Sequence, residues 1–243
     1  MTPRKRADIL LVERGLFESR AKAQAAITAG LVTADGAPVR RASDAVAPDA
    51  LLQAEPAYPY VSRGGVKLAA ALDHFGCDPA GRVCLDVGAS TGGFTQVLLA
   101  RGARRIYAVD VGHGQLHASL RGDPRVVSLE GTDIRAADAA LLSDTPDLAT
   151  IDVSFISLKA VLPALDRLLG HPAWLVALIK PQFEAGRTEL KKGIVRDPMV
   201  HAEVTRDISA FVTSLGWTVA GVIPSPIKGG DGNAEFLLGA RRD

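Results

Sequence analysis

The sequence predicts an α/β protein: a doubly wound domain on a mostly parallel sheet, preceded by a small α+β module. Three observations carry that expectation. From Val66 onward, short apolar runs alternate with longer amphipathic stretches, as in a parallel sheet covered on both faces. Before residue 60 the chain instead reads as two short helices and a hairpin. Between the two patterns, AEPAYPYVSRGG (residues 54–65) breaks both periodicities with two prolines, two tyrosines and a glycine pair. The expected division is 1–58, a linker at 59–65, and 66–243.

In order, Arg6–Arg14 predicts a helix ended by Gly15. Ser19 can cap a second helix, RAKAQAAITA, which Gly30 terminates. LVTADGAPV predicts a hairpin, because Asp35-Gly36 supplies the positive φ angles of a two-residue turn. The larger domain then reads VKLAAALDHF (helix), RVCLDVG (strand), GGFTQVLLARG (helix), RRIYAVDVG, RVVSLEGTD and DLATIDVSF (strands) and LKAVLPALDRLL (helix). AWLVALIKPQ (strand), HAEVTRDISAFVTSLG (helix), WTVAGVIPS and AEFLLGAR (strands) complete it. Ligands on such sheets bind beyond the carboxyl ends of the strands.

Bulk properties exclude several classes. The 243 residues carry a formal net charge of +1, with 47% hydrophobic and 23% charged residues. No global basic field announces nucleic acid, so such a role needs local patches. Cys77 and Cys84 fit neither a disulfide framework nor zinc-ligand spacing. No apolar run approaches the length of a signal peptide core or a bilayer span. A cytoplasmic monomer with reduced thiols and no membrane contact is expected.

DVGASTGGFT (Asp86–Thr95) lies between a strand and a helix, where three ligand classes compete. A triphosphate loop requires lysine where Phe94 stands, and a dinucleotide turn requires glycine where Ser90 stands. The remaining pattern, D-x-G-x-x-x-G-G, resembles the donor turn of S-adenosylmethionine (SAM) enzymes, whose ligand carries a sulfonium and needs no lysine. Asp86, Gly88, Gly92, Gly93 and Phe94 then belong to the donor site. Asp110, about twenty residues on, is placed for the ribose hydroxyls. Asp133 is placed for the adenine amine, and Asp152 joins both donor and acceptor. Three acids in register at successive strand ends outweigh the ordinary reading of one such acid as a helix cap. HGQLH, with His113 and His117, lacks the glutamate of a metal helix, and no metal is expected.

The chain has no N/D-P-P-Y motif for a nitrogen acceptor, and neither cysteine is placed for carbon methylation. Lys67, Asp152, Lys180 and Glu235 instead fall around one rim. Singly, Lys67 would be a solvated helix charge and Glu235 an exposed strand residue. Together they resemble the quartet of FtsJ-type ribose 2′-O-methyltransferases, a Rossmann-like fold with an antiparallel last strand. Before residue 60, eight cations face seven acids, so charge alone says little. Yet Gly15, Ser19-Arg20, Ala23, Ile27, Gly30, Val32 and Asp35-Gly36 match the S-four-type RNA-binding module. With SRGGVKL, DVSFIS, LIKPQFE, GIVRDP and GDGNAEF, the whole chain resembles the TlyA family, often labelled haemolysin A; His113 departs from the tyrosine common there.

The resemblance implies a SAM-dependent methyltransferase acting on cytidine 2′-hydroxyls of ribosomal RNA, free or in subunits, with Lys180 as base. Asp152, Lys67 and Glu235 would orient it, and Lys67 together with burial would favour its free amine. Arg4, Arg6, Arg20, Lys22, Arg40, Arg63, Lys191 and Lys192 are the expected RNA contacts, the last two in a basic loop, GRTELKKGIVRDP, that would cover the acceptor site. A non-catalytic RNA-binding assembly factor and a haemolysin-like membrane activity remain alternatives.

Overall fold

The computed structural model describes residues 3–186, 190 and 193–243. The chain separates into two compact units, Met1–Pro59 and Tyr60–Asp243.

The first unit contains β1 (Lys5–Arg6), α1 (Ala7–Glu13), α2 (Arg20–Thr28), β2 (Val32–Ala34), β3 (Ala37–Pro38), β4 (Ala45–Val46) and β5 (Leu52–Ala54). Ser19 Oγ accepts a hydrogen bond from the Lys22 amide and so caps α2. Ala23, Ala26 and Ile27 of α2 pack with Leu10 and Leu11 of α1 and Val32 of β2. Asp35 and Gly36 both take positive φ, 51° and 76°, and turn β2 into β3. The sheet β3-β2-β5 and the separate pair β1-β4 include two- and three-residue strands too short to show a period in sequence.

The second unit is a seven-stranded sheet between helices. Its elements are α3 (Gly64–Phe75), β6 (Val83–Val87), α4 (Gly93–Ala100), β7 (Arg105–Asp110), α5 (Ala118–Arg121), β8 (Val126–Glu130), β9 (Leu148–Ile151), α6 (Leu158–Val161), α7 (Leu165–Leu168), β10 (Ala173–Ile179), α8 (Pro181–Glu184), α9 (Pro198–Ser214), β11 (Thr218–Pro224) and β12 (Phe236–Arg242). Strand order is β11-β12-β10-β9-β6-β7-β8. The ladders from β10 to β8 are parallel, whereas β12 runs antiparallel to both β10 and β11. The fold is Rossmann-like.

Alternate residues of the central strands feed the cores on opposite faces. Leu85 and Leu175 enter one cluster and Leu148 the other, each fully buried. Burying such a side chain contributes about 1.5–3 kcal/mol. The expected helix LKAVLPALDRLL is interrupted at Leu162–Ala164 by a tighter turn containing Pro163, which lacks the amide a continuous helix would use. Tyr60–Gly65, expected as linker, belong to this unit: Val61 N donates to Gln96 Oε1 at 2.6 Å, and α3 begins at Gly64. A Cβ at Gly65 would meet the Tyr60 ring.

Candidate active site

The parallel strands β6, β7, β9 and β10 end at one rim. Val87 pairs with Val109 and with Ile151, and Ile151 pairs with Ala177. Gly88, Asp110, Asp152 and Lys180 therefore leave the sheet close together. Because β12 is antiparallel and Phe236 pairs with Ile179, the preceding Glu235 arrives at the same rim.

A cleft with two lobes opens there. The larger, about 650 Å³, is lined by Asp110, Val111, Asp133, Ile134 and Arg135 among others. The smaller, about 260 Å³, is lined by Arg63, Lys67, Gly93, Phe94 and Lys180. Gly88, Ser90, Asp152 and Ser154 line both. Such dimensions suit a nucleoside-sized ligand in the larger lobe.

At the seam the quartet forms two ion pairs. Lys180 Nζ lies 2.6 Å from Asp152 Oδ1 and donates to Ser154 Oγ at 2.9 Å. Lys67 Nζ donates to Glu235 Oε2. Lys67 and Glu235 are 7% and 5% exposed, so neither is the solvated charge it would be singly. Lys67 projects from the buried face of α3 beside Leu68, where a lysine persists only with a partner. This pairing corrects one expectation. Glu235 compensates the charge of Lys67, and the charge nearest Lys180 is the Asp152 carboxylate rather than the Lys67 ammonium.

The glycine turn is shaped by close approach. Gly88 has φ +84°, and a Cβ there would run into the Asp152 carbonyl, joining the ends of β6 and β9. Gly93 similarly leaves room for Ser62, and Phe94 is buried at the lobe wall. Gly92, expected to touch the donor, lines neither lobe; its φ of +94° and the neighbouring Leu116 and Leu120 side chains make it a packing position.

The acids differ from the expected register. Asp110 pairs with Glu130, but Asp86 pairs with Ala108, one position inside β6. Asp86 is fully buried, lines neither lobe, and accepts from Thr95 Oγ1 at 2.6 Å and Thr150 Oγ1 at 3.1 Å. Burial pushes its carboxyl up to about 7. It ties α4 to β9 and is a structural acid, not a donor contact. Asp110 accepts from the amides of Ser90 (2.8 Å) and Gly112 (2.7 Å), leaving its other lone pairs toward the larger lobe. Asp133 caps the turn after β8 and is held by the Arg135 guanidinium, at 2.6 Å from Nη2, which keeps its carboxyl below its ordinary range. Its acceptor capacity is thus largely engaged by Arg135. Glu130, the actual acid at the end of β8, accepts from the Gln115 and Leu116 amides. His117 Nδ1 bonds Ser119 Oγ at 2.8 Å, and the His113 ring lies against Gly131.

An FtsJ-like methyltransferase family model matches residues 60–242, and an S4 domain model matches residues 5–52. The 16S/23S rRNA (cytidine-2′-O)-methyltransferase TlyA of Mycobacterium tuberculosis is 45% identical, across 99% of this chain and 91% of the relative. The chain belongs to the TlyA family. Hemolysin A of Brachyspira hyodysenteriae is 39% identical across 96% of this chain and 98% of its own length. A solved chain from Streptococcus thermophilus, labelled a hemolysin only provisionally, superposes with a TM-score of 0.79 at 42% identity, covering 100% of this chain and 90% of that one.

TlyA-type proteins use SAM, and the residues here fit it. Asp110 presents acceptors to the larger lobe, and among the described residues lining that lobe the one cation, Arg135, is paired with Asp133. In the S4 domain, Arg6 and Arg20 both fork onto the buried Asp8, and Lys22 pairs with Glu18 at 2.5 Å. Arg4 donates to the Ala45 carbonyl, and Arg40 is exposed. Arg63 is exposed on the smaller lobe, within reach of Gly230. Lys191 and Lys192, with Arg187, lie outside the described residues. Three groups escaped sequence reasoning: Ser154 beside Lys180, Asp8 beneath the S4 arginines, and Asn233. The last accepts from Val195 N and donates to the Gly193 carbonyl, anchoring the end of the expected basic loop. Nothing in local periodicity marks such tertiary bonds. Among the described residues, no helix is long and apolar enough to cross a membrane, and no cluster of metal-ligating side chains is found.

Proposed function

We propose that this TlyA-family chain is a SAM-dependent rRNA methyltransferase that methylates the 2′-hydroxyl of cytidine in RNA of one or both ribosomal subunits. The activity named for its 45% identical relative supports the reading, but the observation that carries it is the quartet. Lys67, Lys180 and Asp152 line the smaller lobe, Asp152 also reaches the larger, and Glu235 is buried behind them against Lys67. A non-catalytic RNA-binding factor would not need to hold buried charges there.

When bound, SAM supplies a methyl group already activated on a sulfonium. What the protein must add is alignment of the ribose oxygen and removal of its proton. Lys180 Nζ takes that proton as the free amine and passes it to solvent before the next turnover. Asp152 and Ser154 fix its direction. Lys67, held by the buried Glu235, stands on the wall of the smaller lobe and orients the sugar. Asp110 holds the donor ribose. In the S4 domain, residues 1–58, Arg4, Arg6, Arg20, Lys22 and Arg40 meet phosphates of folded RNA, which is read by shape more than by base edges. Arg63, Lys191 and Lys192 extend that contact to the acceptor side. A monomer in the cytoplasm, binding RNA rather than membrane, completes the reading.

Incubating the protein with labelled SAM and ribosomal subunits tests it. Label recovered as 2′-O-methylcytidine is expected; label on a base, or SAM binding without transfer, refutes it. Lysis of protein-free liposomes would favour the haemolysin alternative.

A further inference from the structure

We infer that Asp8 is a positioning residue that sets Arg6 and Arg20 as a paired, phosphate-receiving fork; this rests on the RNA-binding reading above. Asp8 is fully buried in the first unit. Its Oδ1 accepts from Arg6 Nε at 3.0 Å and from the Ile9 amide at 3.1 Å. Its Oδ2 accepts from Arg6 Nη2 (3.1 Å), Arg20 Nε (3.1 Å), Arg20 Nη2 (2.8 Å) and Gln24 Nε2 (2.7 Å). The arginine forks hold this carboxyl well below the usual range.

The partners are what make the site more than a satisfied core acid. A buried carboxylate can be satisfied by amides alone, yet this one is satisfied by two guanidiniums whose side chains stay 46% and 55% exposed. Arg6 precedes α1 and Arg20 opens α2, so one acid draws cations from two elements to one spot. Each guanidinium commits its Nε and one Nη2 donor inward, and its remaining donors belong to the exposed part. One carboxylate against two guanidiniums leaves a net positive charge. Without the acid, the two cations would repel and sample many rotamers; with it, they wait in one geometry for a phosphate oxygen.

Charge and position make opposite forecasts for Asp8→Asn, which removes a negative charge and keeps the shape. A diffuse basic field would bind RNA more tightly after that change. The fork predicts binding to small ribosomal subunits about tenfold weaker, with SAM affinity unchanged in the full-length protein. Native or tighter binding by a folded Asp8→Asn protein overturns the inference. Arg6→Ala and Arg20→Ala serve as controls. If neither weakens binding, the RNA-binding reading of this unit is what has failed. Should circular dichroism show that Asp8→Asn unfolds the unit, Asp8→Glu decides, because it keeps the charge and displaces the carboxylate by one methylene. Weakened binding then supports the fork, and native binding refutes it.

Discussion

Lys180 is nearly buried, 2.6 Å from one carboxylate oxygen and 2.9 Å from a hydroxyl, and its surroundings explain why no conservative replacement would serve. Lys180→Ala should lower kcat by about 10²–10⁴-fold while leaving SAM affinity intact by calorimetry. Ser154→Ala should lower kcat about tenfold, because its hydroxyl accepts from Lys180 and orients it; Ser154→Thr, which keeps that hydroxyl, should restore most of the rate. The Lys67–Glu235 pair behaves differently. Glu235→Ala strands a buried ammonium and should cost about 3–5 kcal/mol in chemical denaturation, whereas the double change Lys67→Met, Glu235→Leu should regain stability without regaining methylation. Ser154 was not legible in the sequence; that Lys67, Asp152, Lys180 and Glu235 would meet at one rim was, because the resemblance aligned them. Their pairing was not: which lysine meets which acid depends on distances between α3, β9, β10 and β12, and no spacing along the chain encodes those.

Strands and turns carry the next level. The run VCLDV reads as a strand on apolarity alone, and the structure makes it β6. Its aspartate borders a glycine turn, which predicts a rim residue; only the ladder register reveals that Asp86 sits two positions deeper than Asp110. The consequence is a pH dependence. Asp86 titrates near 7 in the fold against an ordinary 3.8, so its neutral form is the favoured one, and its contribution is retained at low pH and lost as pH rises through that window. Asp86→Asn should therefore gain stability over the native protein between about pH 4 and 7, reaching on the order of a few kcal/mol and levelling off above. Parallel urea titrations across pH would check this; a stability difference independent of pH would contradict it. Pro163 similarly explains why LKAVLPALDRLL, periodic enough for one helix, became two short ones. The tiny strands β1 and β4 have no signal in the sequence because two residues have no period.

Across the whole chain, a net charge of +1 hides a division of labour. The proposed RNA contacts are local, and several are balanced by acids that composition counts against them. Salt should still weaken RNA binding steeply, and Arg6→Ala or Arg20→Ala should each reduce the slope of log K against log salt by about 1. Replacing Arg241, on β12 away from the cleft, should leave that slope unchanged. The two-unit organisation was legible because composition changes abruptly at residues 54–65; the boundary itself moved to Pro59, since Tyr60 packs as part of the second unit's core. The central claim, that one cleft brings an activated methyl to a ribose oxygen beside Lys180, is tested most directly by mapping ribose methylation on ribosomal RNA after incubation with labelled SAM and either native or Lys180→Ala protein. 2′-O-methylcytidine at discrete positions is expected with the native protein, and its loss with the variant. Methyl groups on bases, or undiminished ribose methylation by Lys180→Ala, would contradict it.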